Sequence, residues 1–93
     1  MSDQSYILKL YITGSSPRSE QAIANLMQLC EQQLAGSYEL SIIDVLEQPH
    51  LAEQEKILVT PTLIKEVPPP GHRIIGDLSD AAVLAKGLNL QSF

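Results

Sequence analysis

The sequence predicts an α/β fold whose first half is a strand, a long helix and a second strand. Tyr6–Ile12 is β-branched, aromatic and mostly apolar, which is typical of a strand. From Arg18 to Leu34 the apolar residues recur with the period of an α-helix. Tyr38–Val45 alternates at first and then becomes continuously apolar, which predicts a second strand. These elements form a βαβ unit, whose crossover is almost always right-handed.

Turn and capping residues bound these elements. Gly14-Ser15-Ser16-Pro17 ends the first strand, and Ser15 or Ser16 is placed to cap the helix with Pro17 in its first turn. Gly36 is placed to end the helix. The apolar face of the helix is formed by Ile23, Leu26, Met27, Cys30 and Leu34.

The sequence pattern of the second half of the chain does not select one set of helices and strands. Two competing patterns remain open, because Glu53–Ile64 continues as a helix if Pro61 is ignored and Ala81–Leu90 is apolar enough for either state. The expected elements are a short helix in Gln48–Leu58, a strand in Val59–Lys65, a rigid turn at Val67–Gly71, a strand at His72–Gly76 and a helix over Ser79–Leu88 capped by Ser79.

Length and charge limit the class of protein. The 93 residues fit a single domain over 1–93, which at this size buries only roughly 60–65% of its unfolded surface, so self-association is favoured. A composition of 44% hydrophobic and 18% charged residues indicates a globular chain. The net charge of −5 and the six scattered Lys and Arg argue against nucleic acid as a partner.

The single cysteine and the N-terminal residues predict a cytoplasmic location. One Cys cannot form an internal disulfide and fits a reducing compartment. Met1–Ser5 is polar and lacks the basic start and apolar core of a signal peptide. No stretch approaches the ~20 apolar residues of a membrane span, so no membrane partner is expected.

The order of the predicted elements resembles thioredoxin, with Thr60-Pro61-Thr62 at the position of a proline that is usually cis in that fold. The redox cysteines of a thioredoxin would stand in the loop after the first strand, which here reads Gly14-Ser15-Ser16-Pro17 and has no thiol. Cys30 lies on the apolar helix face and is expected to be a core residue. We therefore expect no catalytic residue and no enzyme activity.

Neither histidine predicts a metal site. His50 has only Glu53 nearby in sequence, and His72 follows a Pro-Gly turn, so neither has the spacing of a ligand set. Asp77-Leu78-Ser79-Asp80 is better explained as a helix cap than as acid–base chemistry. No metal and no cofactor are expected.

A series of longer strings resembles the KaiB family of cyanobacterial clock proteins, which also occurs in other bacteria. They cover nearly the whole chain, and the string after the Pro-rich segment is very specific. The strings are Tyr6–Ile12, Gly14, Pro17, Ile43–Leu46, Gln48-Pro49, Leu51–Glu53, Lys56–Leu58, Thr60–Leu63, Pro68–Pro70 and Arg73–Asp80.

The resemblance implies a non-catalytic regulator that binds KaiC, a hexameric ATPase and autokinase, and modulates its phosphorylation. KaiA and a histidine kinase are further partner classes that it implies. It also implies two folds: a resting form, commonly a tetramer, with order βαββααβ, and a thioredoxin-like binding form with order βαβαββα. Residues 6–47 are then the stable half and 48–93 the fold-switching half. This agrees with the competing helix and strand patterns in the second half of the sequence.

The resemblance also implies site residues. Lys56 and Arg73 correspond to basic positions that contact partners, and Lys9 and Asp44 are added as candidate partner contacts. Family members carry further basic residues where this chain has Gln21, Ser41 and His72, and fewer rim charges weaken electrostatic steering. The positions expected to form turns or take part in the fold switch are Pro61, Pro68, Pro69, Pro70, Gly76 and Asp77.

Two other interpretations remain open. A divergent copy could serve stress adaptation rather than a clock. A thioredoxin-like sensor or adaptor module, resembling the input domain of the KaiC-binding histidine kinase, would bind another signalling protein without KaiC. The Arg73-Ile74-Ile75-Gly76-Asp77 string favours KaiB over such a module. A homo-oligomer, a tetramer or a dimer, is expected in the first case.

Overall fold

The computed structural model describes residues 5–67, 69–76 and 78–88. Its elements follow one another in the order βαβαββα. Their bounds are β1 Tyr6–Ile12, α1 Pro17–Gln33, β2 Tyr38–Asp44, α2 Pro49–Gln54, β3 Thr62–Val67, β4 His72–Ile75 and α3 Ala81–Gly87.

The four strands form one mixed sheet in the spatial order β2-β1-β3-β4. β1 pairs with β2 in parallel from Tyr6↔Tyr38 to Ile12↔Asp44, as the predicted βαβ unit requires. β3 runs antiparallel to β1, and β4 runs antiparallel to β3. β1 therefore has a hydrogen-bonded neighbour along each edge. Its side chains enter both core clusters, with Leu8 and Leu10 on one face and Tyr11 on the other, which explains why its sequence is apolar at nearly every position.

The helices cover the two faces of the sheet unequally. One face packs Leu8, Leu10 and Leu63 against the buried residues of α1 and α3 in the larger core cluster. Among the described residues, the opposite face is covered by α2 and by the residues on either side of it. Its smaller cluster consists of Tyr11, Ile43 and Ile64, with Val45, Leu51 and Ile57 packed against them.

The first half of the chain agrees with the sequence prediction apart from two details. Ser16 caps α1, since its Oγ accepts a hydrogen bond from the N–H of Ser19 at 3.1 Å, and Pro17 is the first helical residue. Leu34, and not Gly36, is the C-cap; Gly36 follows in the turn with φ +76°. Met27 stands at the edge of the predicted apolar face and is 46% exposed, whereas Cys30 is fully buried.

The second half contains the expected element types, with shorter bounds. The helix expected in Gln48–Leu58 ends at Gln54, and the strand expected from Val59 begins at Thr62. Asp80 replaces Ser79 as the cap of α3, because its carboxylate accepts from the N–H groups of the second and third residues of the helix. The observed order is the thioredoxin-like one that we expected for the binding form.

Candidate functional site

The loop between α2 and β3, residues 55–61, carries the most distinctive geometry of the described chain. The N–H of Ile57 donates to the carbonyl of Ala52 at 2.9 Å, and the N–H of Lys56 donates to the carbonyl of Glu53 at 3.1 Å. These two bonds define a Schellman motif, the most common way to end a helix. Lys56 occupies its left-handed position, with φ +56°. Glycine is the usual residue there, so a lysine carries a backbone cost.

Arg73 reaches this helix end from β4. Its guanidinium donates to the backbone carbonyls of Glu55 and of Lys56, the latter at 3.4 Å. The same guanidinium lies 3.7 Å from the carboxylate of Glu55. The carbonyl of Glu55, the C-cap of α2, lacks a partner inside the helix, and Arg73 supplies a donor for it and for the carbonyl of the next residue. The structure thus brings together the two basic residues, Lys56 and Arg73, that the sequence singled out.

Exposed apolar side chains follow directly after Lys56. Leu58 is 92% exposed and Val59 is 48% exposed. They border a shallow groove of about 140 Å³, which the α2–β3 loop lines together with Thr13, Val45 and Ala52. An exposed apolar pair over a groove is a feature of surfaces that bind other proteins.

Hydrogen bonds fix the far end of the α2–β3 loop. The hydroxyls of Thr13 and Thr60 lie 2.6 Å apart, which ties the loop to the end of β1. The Thr62 hydroxyl donates to the carbonyl of Val59 at 2.7 Å. The Thr60–Pro61 peptide bond is cis, as expected from the thioredoxin-like pattern, and Pro61 is fully buried.

The remaining turn candidates lie elsewhere. Gly76 has φ +119°, which favours glycine, and its N–H donates to the carbonyl of Pro61 at 3.0 Å. Pro69 and Pro70 are exposed in the turn between β3 and β4 and are joined by a cis bond. Pro68 and Asp77 lie outside the described residues.

Lys9 and Asp44 take part in contacts within the chain. Lys9 lies in one row across the sheet with Ile64 and Arg73, and its ammonium is 3.2 Å from the carboxylate of Glu66. The hydrogen bond to Glu66 raises the pKa of Lys9. One carboxylate oxygen of Asp44 accepts from the N–H groups that follow β1 and β2, at 3.1 and 2.9 Å. Asp44 therefore stabilises two turns, and neither contact tests its role towards a partner.

The thiol is remote from the cis-proline loop. Cys30 lies on the buried face of α1, in the larger core cluster, and burial raises the pKa of its thiol to about 11. A thiol in this environment stays protonated at neutral pH, so it is a poor nucleophile. Among residues 5–67, 69–76 and 78–88, no three His, Cys, Asp or Glu side chains are grouped so as to hold a metal ion. In the same part of the chain no helix is long and apolar enough to cross a bilayer.

Sequence reasoning missed the exposed pair and the helix end. Ile57-Leu58-Val59 was interpreted as the end of one element and the start of the next, although only Ile57 is packed against a core cluster. Pro61 is a signal that could have placed a loop here, because a proline disfavours helix at the residue before it. No signal marks Lys56 as a left-handed residue, since lysine is not enriched there.

The chain is a thioredoxin-like protein whose buried Cys30 belongs to the larger core cluster and not to the cis-proline loop. Among the solved structures that share this fold are the following two. The N-terminal domain of Synechococcus elongatus SasA has a TM-score of 0.77 at 28% identity, covering 100% of this chain and 91% of that one. Mitochondrial thioredoxin 3 of Saccharomyces cerevisiae has a TM-score of 0.74 at 17% identity, covering 92% and 78%, and shows the fold alone.

Sequence comparison identifies the family. The family model described as the KaiB domain matches residues 9–90. The circadian clock protein KaiB3 of Synechocystis sp. PCC 6803 is 57% identical over 84 residues, which cover 90% of this chain and 82% of that protein. The circadian clock oscillator protein KaiB of Prochlorococcus marinus strain MIT 9312 is 53% identical over 87 residues, covering 94% and 83%. The chain belongs to the KaiB family.

Proposed function

We propose that this chain is a non-catalytic regulator that binds a KaiC-type hexameric ATPase and modulates its phosphorylation state, in a circadian clock or in stress adaptation. The observation that carries the proposal is the KaiB match over residues 9–90, together with relatives named circadian clock proteins at 57% and 53% identity. The buried, protonated Cys30 supports a role without thiol chemistry. The cytoplasm, where such a thiol remains reduced, is the proposed location.

The surface we propose for KaiC is the α2–β3 loop with Lys56, Leu58 and Val59. Leu58 and Val59 offer apolar area that a partner would desolvate, and interface energy concentrates in a few such central contacts. Lys56 adds a positive charge at the rim, which favours an acidic partner surface and mainly affects the rate of association. Lys9 and Asp44 remain proposed partner contacts outside this loop.

We further propose that the chain has two folds, with residues 6–47 kept and 48–93 rearranged between them. The βαβαββα order is the binding form, and a βαββααβ homo-oligomer, a tetramer or a dimer, is the resting form. Size-exclusion chromatography of the free protein should then show a species larger than a monomer. Backbone NMR should show signals of 48–93 that change when KaiC is added. A monomer at all concentrations in chromatography, together with one set of NMR signals that does not change when KaiC is added, would contradict the proposed resting form.

A pull-down with the host's own KaiC in the presence of ATP tests the main proposal. The wild type should be captured. Leu58→Ala should weaken capture about fivefold or more, as expected for an apolar contact at the centre of an interface. Lys56→Ala should weaken it less, and Arg18→Ala, which removes an exposed charge from α1, is the matched control. Absence of capture, or equal capture of Leu58→Ala and the wild type, would contradict the proposal.

The second candidate is an adaptor module that binds another signalling protein without KaiC. The similarity to the SasA N-terminal domain over the whole chain favours it, because that domain also has the thioredoxin-like fold. KaiA-type proteins and a histidine kinase are the partner classes that we propose besides KaiC. If the wild type binds the purified histidine kinase of the host but does not capture KaiC, the result would support this second candidate over the first.

A further inference from the structure

The end of α2 needs support from outside the helix. α2 has only six residues, and none of them is buried. A helix this short is unstable by itself, because too few hydrogen bonds offset the cost of starting it. The Schellman motif that ends it also places a lysine in a left-handed conformation, which costs further free energy. Contacts from outside the helix, such as the packing of Leu51 and Ile57, therefore contribute to holding this end in place.

We propose that Arg73 is a positioning residue: it holds the C-terminal end of α2 and thereby presents Lys56 and Leu58 to the partner, which it does not contact itself. This inference rests on the proposed function for its partner, while its structural part concerns the βαβαββα arrangement of the protein without a partner. It changes the role that the sequence suggested for Arg73.

The geometry of the guanidinium supports this role. Arginine carries five N–H donors in a rigid fork, and Arg73 directs two of its nitrogens at two successive carbonyls, those of Glu55 and Lys56. These two bonds commit part of the guanidinium to the backbone of the chain itself. Lysine could not replace arginine here, because an ammonium is a point charge and cannot span both carbonyls in the same way.

The nearby carboxylate does not account for the contact. Arg73 and Glu55 lie 3.7 Å apart with side chains 44% and 38% exposed, and an ion pair this exposed contributes little to stability. The carbonyl contacts differ because they restrain the backbone directly. Loss of the Glu55 side chain should therefore leave the helix end in place.

The sheet places Arg73 where it can act. Arg73 stands opposite Ile64 in the β3–β4 pairing, and Ile64 belongs to the cluster against which Ile57 packs. One end of the α2–β3 loop is thus anchored by apolar packing of Ile57 and by Arg73, and the other by Thr60 and buried Pro61. Leu58 and Val59 lie between these anchors.

Amide hydrogen exchange tests the structural part, measured on the monomeric fraction of the partner-free protein, which is the proposed source of the βαβαββα arrangement. Arg73→Ala and Arg73→Lys should each raise the exchange rate of the Lys56 and Ile57 amides about tenfold, since local opening sets these rates. Glu55→Gln and the charge control Arg18→Ala should leave them unchanged. The Leu10 amide in β1 reports global stability, and its exchange rate should rise by no more than the rates of Lys56 and Ile57, since global unfolding also breaks the Arg73 contacts. Unchanged rates at Lys56 and Ile57 in both Arg73 variants would overturn the proposal.

A double-mutant cycle with KaiC tests the functional part. Arg73→Ala should weaken capture in the wild-type background. In a Lys56→Ala/Leu58→Ala background it should weaken capture by no more than the fall in population of the βαβαββα arrangement that backbone NMR of the free variant shows, because a residue that acts through others is coupled to them. A loss in that background beyond the fall in population would mean that Arg73 contacts KaiC itself and would overturn the inference. If the wild type does not bind KaiC, the proposed function fails, and the exchange rates alone then decide whether Arg73 positions the loop.

Discussion

Replacing Lys56 by glycine should stabilise this protein, although it removes a side chain from the proposed binding loop. Lys56 has φ +56°, and this left-handed conformation costs a residue with a Cβ roughly 1–2 kcal/mol. Glycine avoids that cost but loses about 0.5–1 kcal/mol more backbone entropy on folding. The Lys56 side chain is exposed, so its removal forfeits little packing. The two ranges together predict a gain of about 0 to 1.5 kcal/mol, with a central value of about 0.75 kcal/mol.

Urea denaturation measures this gain. The variants are compared at one fixed protein concentration, because self-association makes the apparent stability depend on concentration. Lys56→Ala is the matched control, since alanine also loses the charged side chain but keeps the cost of the left-handed backbone. We expect Lys56→Gly to be more stable than both the wild type and Lys56→Ala, with a rise in Tm of about 3–6 °C for the glycine variant at the central gain of about 0.75 kcal/mol. Equal stability of the glycine and alanine variants would refute the left-handed assignment, and capture by KaiC should fall in both.

Three further substitutions test the fold around the site. Leu26→Ala should lower the free energy of unfolding by about 2–5 kcal/mol, because Leu26 is fully buried on the inner face of α1. A loss well below that range in urea denaturation would contradict this prediction. Asp80→Ala should lower the free energy of unfolding by about 1 kcal/mol in the same assay, since the Asp80 carboxylate caps α3 through the N–H groups of Ala82 and Val83. An unchanged urea midpoint would show that Asp80 does not stabilise α3. The buried Cys30 thiol, with its pKa raised to about 11 from 9.0, favours the folded state while it stays protonated. This contribution is complete below pH 9 and is lost as the pH rises to about 11, so the wild type should lose more stability over that interval than Cys30→Ala; parallel pH profiles would contradict it.

The first half of the fold could be predicted because local and long-range preferences agree there. The 3.6-residue period of α1 and the apolar strands around it admit one packing, with Cys30 and Leu26 inward and a central β1. Ser16 and Pro17 mark the helix start with side-chain chemistry that acts within a few residues. Met27 was predicted wrongly because it stands at the edge of the apolar face, where the position of neighbouring elements decides exposure.

The second half depends on contacts between distant residues. α2 is too short for its own period to define it, and it is completed by Arg73, 17 residues beyond Lys56 in the chain. Lys65 shows the same limit: it is only 2% exposed on the face of the sheet that carries Leu63, because alternate residues of a strand share a face. Its aliphatic stem can cover apolar surface, which residue type alone does not reveal.

The Arg73 contacts connect the proposed binding loop to the proposed choice of fold. Both partners of these contacts lie within residues 48–93, and they meet only where β4 lies beside β3 and α2 covers Ile64. An arrangement that separates β4 from α2 would break both carbonyl contacts and release Lys56 and Leu58. A partner that needs these residues as presented here binds this arrangement preferentially, and it can shift the equilibrium only by that difference in affinity. Arg73→Ala should therefore weaken binding and also lower the population of this arrangement before any partner is present.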